Sequence, residues 1–289
     1  MKTITGHTGF TALLGSPVSH SISPLMHNES FRMLNLDYVY LCFDVTEDTL
    51  ADAVCGLKTC GIRGFNLTMP NKNKIVSLLD ELSPAAKLIG AVNTVVHENG
   101  KLIGYNTDGV GYMTAVKDAG HDIIGKTITM MGCGGAATAI CAQAALDGVK
   151  KIHIFARPTS RFWERTENLA KTINAILPCE VCLHAQDDSQ ALKEAVAESA
   201  LLLNASSVGM APDTEHSLIT DTSIFHPNLV VSDIIYNPKE TKLLRDARNA
   251  GCKTFNGLYM LLYQGAEAFR LWTGQDMPVA HIKAKYFSE

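Results

Sequence analysis

Apolar and polar positions alternate between two periods along the first hundred residues. Phe10-Thr11-Ala12-Leu13-Leu14-Gly15 is a short, nearly continuous apolar run, which predicts a buried strand. Leu25 to Leu34 keeps apolar residues at helical spacing, and Ser23-Pro24 before it reads as an N-cap followed by proline at the first helical position. Tyr38 to Phe43 predicts a second strand and Asp48 to Thr59 a second helix. Arg63 to Thr68 predicts a third strand, ended by Pro70. Strands separated by helices at this interval imply a largely parallel sheet.

A second series begins near Lys126. Thr127 to Met131 is an apolar strand that runs straight into Gly132-Cys133-Gly134-Gly135-Ala136-Ala137, and an alanine-rich helix follows over Thr138 to Leu146. Further strands are expected at Lys151 to Phe155, Ala200 to Asn204 and Leu229 to Ile235. From Gly257 the pattern is helical again, with Leu261, Leu262, Gly265, Ala268, Phe269 and Trp272 on one face. The expected fold class is α/β in two domains: an N-terminal α/β domain with a mainly parallel sheet, and a Rossmann-type dinucleotide-binding domain.

A strand, then Gly-x-Gly-x-x-Ala, then a helix is the Rossmann fingerprint in its proper context. Gly132 allows a tight turn out of the strand, Gly134 lets backbone approach a pyrophosphate, and Ala137 keeps helix and sheet close. With Cys133, Gly135 and Ala136, the turn delivers phosphates to a helix N-terminus, where free N–H groups and the dipole favour anions. The cofactor type is decided one strand later. There the chain reads Ala156-Arg157-Pro158-Thr159-Ser160-Arg161, with no acid for a ribose 2′-hydroxyl and two guanidinium groups suited to a 2′-phosphate. NADP is favoured and NAD remains open. Ala156, Arg157, Thr159 and Arg161, with Ile234 and Gly257 further on, complete the expected cofactor site.

Composition narrows the class. At 289 residues, 46% hydrophobic and 19% charged, the chain has the make-up of a globular protein with room for two domains. A formal net charge of −4 gives no basic field for a nucleic acid. No apolar stretch approaches the ~20 residues that span a bilayer, and Met1 to His7 lacks the pattern of a signal peptide, so a cytoplasmic protein without membrane contact is expected. Cys179-Glu180-Val181-Cys182 has metal-ligand spacing but no second pair, and Glu180 to His184 alternates like a strand. These read as reduced structural thiols, with no metal site.

Five segments outside the Rossmann unit are specific in combination: Ser19 to Pro24, Asn66 to Lys72, Gly90 to Thr94, Gly104 to Gly109, and Tyr259 to Ala266. In order, spacing and residue type the whole chain resembles the shikimate dehydrogenase family, with Met69 to Lys72 and Glu81 to Lys87 similar to its shikimate/quinate branch. The resemblance implies an NAD(P)-dependent oxidoreductase interconverting 3-dehydroshikimate and shikimate, with quinate as the neighbouring alternative. It implies Lys72 as proton carrier and Asp108 as its support. Ser21, Ser23 and Tyr236 would then meet the substrate carboxylate, and Thr68, Asn93 and Gln264 the ring hydroxyls or the carboxylate. Residues 1–108 and 258–289 would form the substrate-binding and catalytic domain, and 109–257 the dinucleotide-binding domain. The partner is a small molecule, in a monomer or homodimer. A ligand-sensing homologue without turnover would be expected to lose the proton carrier, and Lys72 and Asp108 are both present.

Overall fold

Two six-stranded sheets organise the chain, one in each of two compact units: residues 1–111 with 262–289, and residues 112–261. The computed structural model describes residues 3–287; the outermost positions of the expected substrate domain, 1–2 and 288–289, lie outside the described residues.

The first unit contains β1 (Gly9–Gly15), α1 (Ser23–Met33), β2 (Tyr38–Asp44), α2 (Leu50–Thr59), β3 (Gly64–Leu67), β4 (Glu81–Leu82) and α3 (Pro84–Ile89). It continues through β5 (Thr94–Glu98), β6 (Lys101–Tyr105) and the start of α4 (Asp108–Asp118). Its sheet has the order β2-β1-β3-β5-β6-β4. The β1–β2, β1–β3 and β4–β6 pairs are parallel, as the alternation of strands and helices predicts. β3–β5 and β5–β6 are antiparallel, because β5 and β6 form a hairpin that the sequence reading does not contain. Its signal is Asn99-Gly100: both residues have positive φ (52° and 77°), the two-residue turn whose twist matches that of the flanking strands.

One correction concerns α1. Ser23 is its first residue rather than its N-cap; Ile22 occupies the cap and makes no side-chain cap bond. The Ser21 hydroxyl accepts from Ser23 N at 3.2 Å, so the polar side chain serving this helix start sits two residues earlier.

The second unit holds β7 (Thr127–Met131), α5 (Gly135–Asp147), β8 (Lys151–Ala156), α6 (Trp163–Ile176), β9 (Glu180–Ala185) and α7 (Ser189–Glu198). After these come β10 (Leu201–Asn204), β11 (Val230–Asp233), α8 (Lys242–Asn249) and β12 (Lys253–Phe255). α9 (Leu258–Thr273) leads out of it, and α10 (Val279–Tyr286) closes the fold. Every strand pair is parallel, and the order β12-β11-β10-β7-β8-β9 is that of a doubly wound Rossmann sheet. Its topological switch lies between β7 and β10. Fully buried β10 and the buried interior of β8 show why these strands read as largely hydrophobic runs.

In the first unit, Phe65, Leu67 and Val95 centre a buried cluster fed by Leu50 and Val54 of α2 and Ala86 of α3. α9 anchors through Trp272, which is 1% exposed and donates its indole N–H to Val95 O at 2.9 Å. The Trp272 carbonyl accepts from Arg63 Nε at 2.7 Å, tying the helix to the sheet through two strands. Among the described residues, no helix is long and apolar enough to cross a membrane.

Candidate active site and dinucleotide pocket

Asp108 opens α4, where the N-terminal dipole favours a carboxylate. Its two oxygens are divided between two donors: Lys72 Nζ reaches Oδ2 at 2.6 Å and Asn93 Nδ2 reaches Oδ1 at 2.8 Å. The ion pair is partly sheltered, with side chains 30% and 14% exposed. Lys72 follows buried Asn71, whose side chain donates to Val45 O at 2.8 Å, and its own carbonyl accepts from Val92 N at 2.8 Å. Both bonds fix the backbone from which the lysine projects.

Asn93 is buried, and its side-chain oxygen is fully committed. Its Oδ1 accepts from Thr107 N at 2.8 Å, from Thr94 Oγ1 at 3.1 Å and from Thr107 Oγ1 at 3.2 Å. Asn66 extends the network, donating to Thr94 Oγ1 at 2.9 Å and accepting from the Tyr40 phenol at 2.9 Å. Burial pushes the Tyr40 hydroxyl well above its usual range, so it stays a neutral donor. A chain of satisfied polar groups thus runs through the sheet to the carboxylate that holds Lys72. The sequence motifs contain Asn66, Thr94 and Thr107, but nothing in their spacing identifies them as the brace of Asp108.

The other expected substrate residues of this unit come from three further parts of the chain. Ser21 and Ser23 are neighbours at the start of α1, both half-buried. Thr68 is half-buried just past β3, and Gln264 half-buried on α9. Tyr236 belongs to the second unit, where it lies 47% exposed on the wall of a pocket.

That pocket measures about 1020 Å³ and opens at the switch between β7 and β10. Gly132 to Ala136 form one side, with Ala156, Arg157, Thr159 and Arg161 beyond. Ser206 and Ile234 lie on the opposing loops. Gly132 has a φ of 113°, and a side chain there would meet the Ala205 carbonyl at 2.8 Å. Gly134, the N-cap of α5, makes no side-chain cap bond, and a Cβ built on it or on Gly135 would meet nothing within 4 Å. Uncapped N–H groups at the start of α5 therefore border open space, which fits a dinucleotide pyrophosphate. Arg157 and Arg161 are exposed, and among the described residues neither forms an ion pair. Gly257 is not part of the lining: it stands behind Ile234, where a Cβ would come within 1.8 Å of the Ile234 carbonyl oxygen.

Asp233 shapes the pocket from beneath. Its carboxylate accepts from Asn204 Nδ2 at 3.1 Å, Thr241 Oγ1 at 2.8 Å and Ile235 N at 2.9 Å. Asn204 Oδ1 in turn accepts from the Ser206 hydroxyl at 2.7 Å. One acid thus pins the loops after β10 and β11 together. Burial is the main influence on Asp233, raising it to about 6 despite these donors.

A doubly wound sheet with this glycine turn, and a companion unit presenting a braced lysine–carboxylate pair, define a dinucleotide-dependent oxidoreductase. Residues 13–95 match the shikimate dehydrogenase substrate binding domain, and residues 257–285 the shikimate 5′-dehydrogenase C-terminal domain. Over 284 residues the chain is 50% identical to the shikimate dehydrogenase (NADP(+)) of Listeria innocua, covering 98% of this chain and 97% of that one. The crystal structure of shikimate 5-dehydrogenase from Listeria monocytogenes, in complex with shikimate and NAD, superposes with a TM-score of 0.96 at 50% identity, over 98% of both chains. Quinate dehydrogenase from Corynebacterium glutamicum, in complex with NAD, gives a TM-score of 0.84 at 29% identity, over 98% of this chain and 99% of that one. The chain belongs to the shikimate dehydrogenase family.

Proposed function

We propose that this protein interconverts 3-dehydroshikimate and shikimate, using NADP in preference to NAD. The observation that carries the reading is the Lys72–Asp108 pair, 2.6 Å apart and braced by Asn93. It stands in a chain half-identical to a relative named for that activity. When the ketone becomes an alcohol, its oxygen must gain a proton as its carbon gains a hydride. The bound dinucleotide supplies or takes the hydride. The Lys72 ammonium gives the proton during reduction, and the free amine recovers it during oxidation. Asp108 holds Nζ in position. Asn93 uses one amide N–H on Asp108 and keeps the other for a ring hydroxyl.

The unit containing Lys72 is the substrate-binding one. The Ser21 and Ser23 hydroxyls donate to the substrate carboxylate, while Thr68 and Gln264 bond the ring hydroxyls or the carboxylate. Having both serines favours the shikimate ring over quinate. The unit spanning 112–261 would hold the cofactor, with Gly134 and Gly135 taking its pyrophosphate and Arg157 and Arg161 a 2′-phosphate. Two guanidinium groups, neither in an ion pair among the described residues, where an acid would suit NAD support the NADP preference, as does the cofactor in the relative's name.

The test is initial-rate kinetics with shikimate and quinate, each with NADP and NAD, on the native protein and on Lys72→Ala. Shikimate with NADP is expected to give the highest kcat/KM. Lys72→Ala is expected to lose about 10²–10⁴-fold in kcat with much smaller changes in KM. Near-native turnover in that variant removes Lys72 from the proton transfer. Absence of turnover with every pair of reactants removes the activity itself.

A further inference from the structure

We propose that His153, Cys182 and His184 form a Zn²⁺ site on the edge of the second unit's sheet, one that the Cys-x-x-Cys spacing does not reveal. His153 of β8 lies directly opposite Cys182 of β9 in the parallel register, and His184 follows two residues later on the same face. β9 is the edge strand, so this face is reached from solvent; Cys182 and His184 are half-exposed, while His153 is buried. One ligand atom from each residue lies within 4.8 Å of the other two.

Three features prepare these side chains for a metal. Glu198, at the end of α7, is 2.6 Å from His153 Nε2. An ionised carboxylate only accepts, so Nε2 carries the proton and Nδ1 offers its lone pair, the arrangement of a carboxylate–histidine–zinc triad. That Nδ1 accepts from His184 Nε2 at 2.9 Å, so a metal between them requires the His184 proton to move to its own Nδ1. Two nitrogens bound at about 2.0–2.1 Å to a tetrahedral zinc lie about 3.3 Å apart, so the rings need to part by only a few tenths of an ångström. The His184 ring is held in turn by stacking on Phe155, with centroids 4.7 Å apart and planes 15° off parallel.

The electrostatics also suit a dication. The Cys182 thiol donates to Glu180 Oε1 at 3.3 Å, and a metal at Sγ would displace that proton. Lys151 lies beside the cluster and is engaged by Glu198 at 3.1 Å with Glu180 at 4.0 Å. Two imidazoles and a thiolate make a borderline-soft set, which selects zinc over magnesium or calcium. Water or Glu180 fills the fourth position. The metal would clip the edge strand to β8, three residues before Ala156 of the dinucleotide pocket.

Co²⁺ titration of the reduced, chelator-stripped full chain reads both stoichiometry and ligand set. The expected result is a tetrahedral cobalt spectrum with thiolate-to-metal charge transfer that saturates at one equivalent and is displaced by Zn²⁺. Cys182→Ser should abolish the charge-transfer band, while Cys179→Ala and Cys60→Ser should leave it intact. No saturable band in the native protein overturns the proposal, as does a band that survives Cys182→Ser or disappears in Cys60→Ser. Chelator competition supplies an independent readout: His184→Gln should weaken Zn²⁺ binding at least about tenfold and Glu198→Gln about 10–100-fold, with circular dichroism confirming that both fold. Unchanged affinity in both variants also overturns it.

Discussion

Asp108 receives a cation on one oxygen and a neutral amide on the other, and the amide has the more consequential position. Lys72 lies 36 residues before Asp108 and Asn93 lies 15, so neither partner is legible as a local motif. Only the resemblance of the whole chain points to the ion pair, and nothing in it points to Asn93 as a brace. The arginines are the opposite case, because their charge at the end of β8 has chemical meaning on its own. Arg161→Ala is expected to raise KM for NADP about 10–100-fold while leaving KM for NAD within about twofold, measured in parallel saturation curves. Equal losses with both cofactors would show that the guanidinium does not meet the 2′-phosphate. His27 carries a pH prediction. It is fully buried against Tyr40 and Trp272, and among the described residues neither ring nitrogen has a partner. Burial lowers its pKa from 6.5 to about 3, so on acidification the unfolded chain takes up this proton first. The contribution to stability is complete above 6.5 and is lost as the pH falls toward 3. Urea denaturation across this window should show His27→Leu losing less stability on acidification than the native protein; parallel curves would refute the assignment.

β1, β3, β7, β8, β10 and β11 are readable because one physical rule forms them: a strand buried on both faces is a largely apolar run. α7 and α8 carried only end signals. Their N-caps are Asp188, which accepts from Ala191 N at 3.0 Å, and Thr241, which accepts from Leu244 N at 3.4 Å. The β5–β6 hairpin escaped for a different reason. Thr94 to Val96 is buried on both faces, so it lacks the alternation of a hairpin strand, and only the Asn99-Gly100 turn marks it. The turn bears directly on the site, since Asn93 and Asp108 flank the two strands it joins. Gly100→Val places a β-branched residue at a φ of 77° and should cost about 1–2 kcal/mol, seen as a lower urea midpoint at unchanged m-value. An unchanged midpoint would mean that the turn tolerates the left-handed penalty by rearranging.

The first unit depends on pieces far apart in the chain. Trp272 bonds Val95 across 177 residues and Arg63 across 209, whereas the second unit is contiguous. Truncation after residue 261 is therefore expected to leave strong amide-exchange protection in β7, β8 and β10 while protection in β1, β3 and β5 collapses. Retained protection in β3 and β5 would show that the first sheet stands without α9. The same connectivity sets a schedule during synthesis. The five main strands of the first sheet leave the ribosome early, but Phe269 and Trp272 emerge on the order of ten seconds after them at ordinary elongation rates. In that interval the nucleotide-binding unit can be translated and folded entire. The first sheet meanwhile lacks its bonds to Trp272, so chaperone capture of the nascent chain is expected at its N-terminal part rather than at the part still being made.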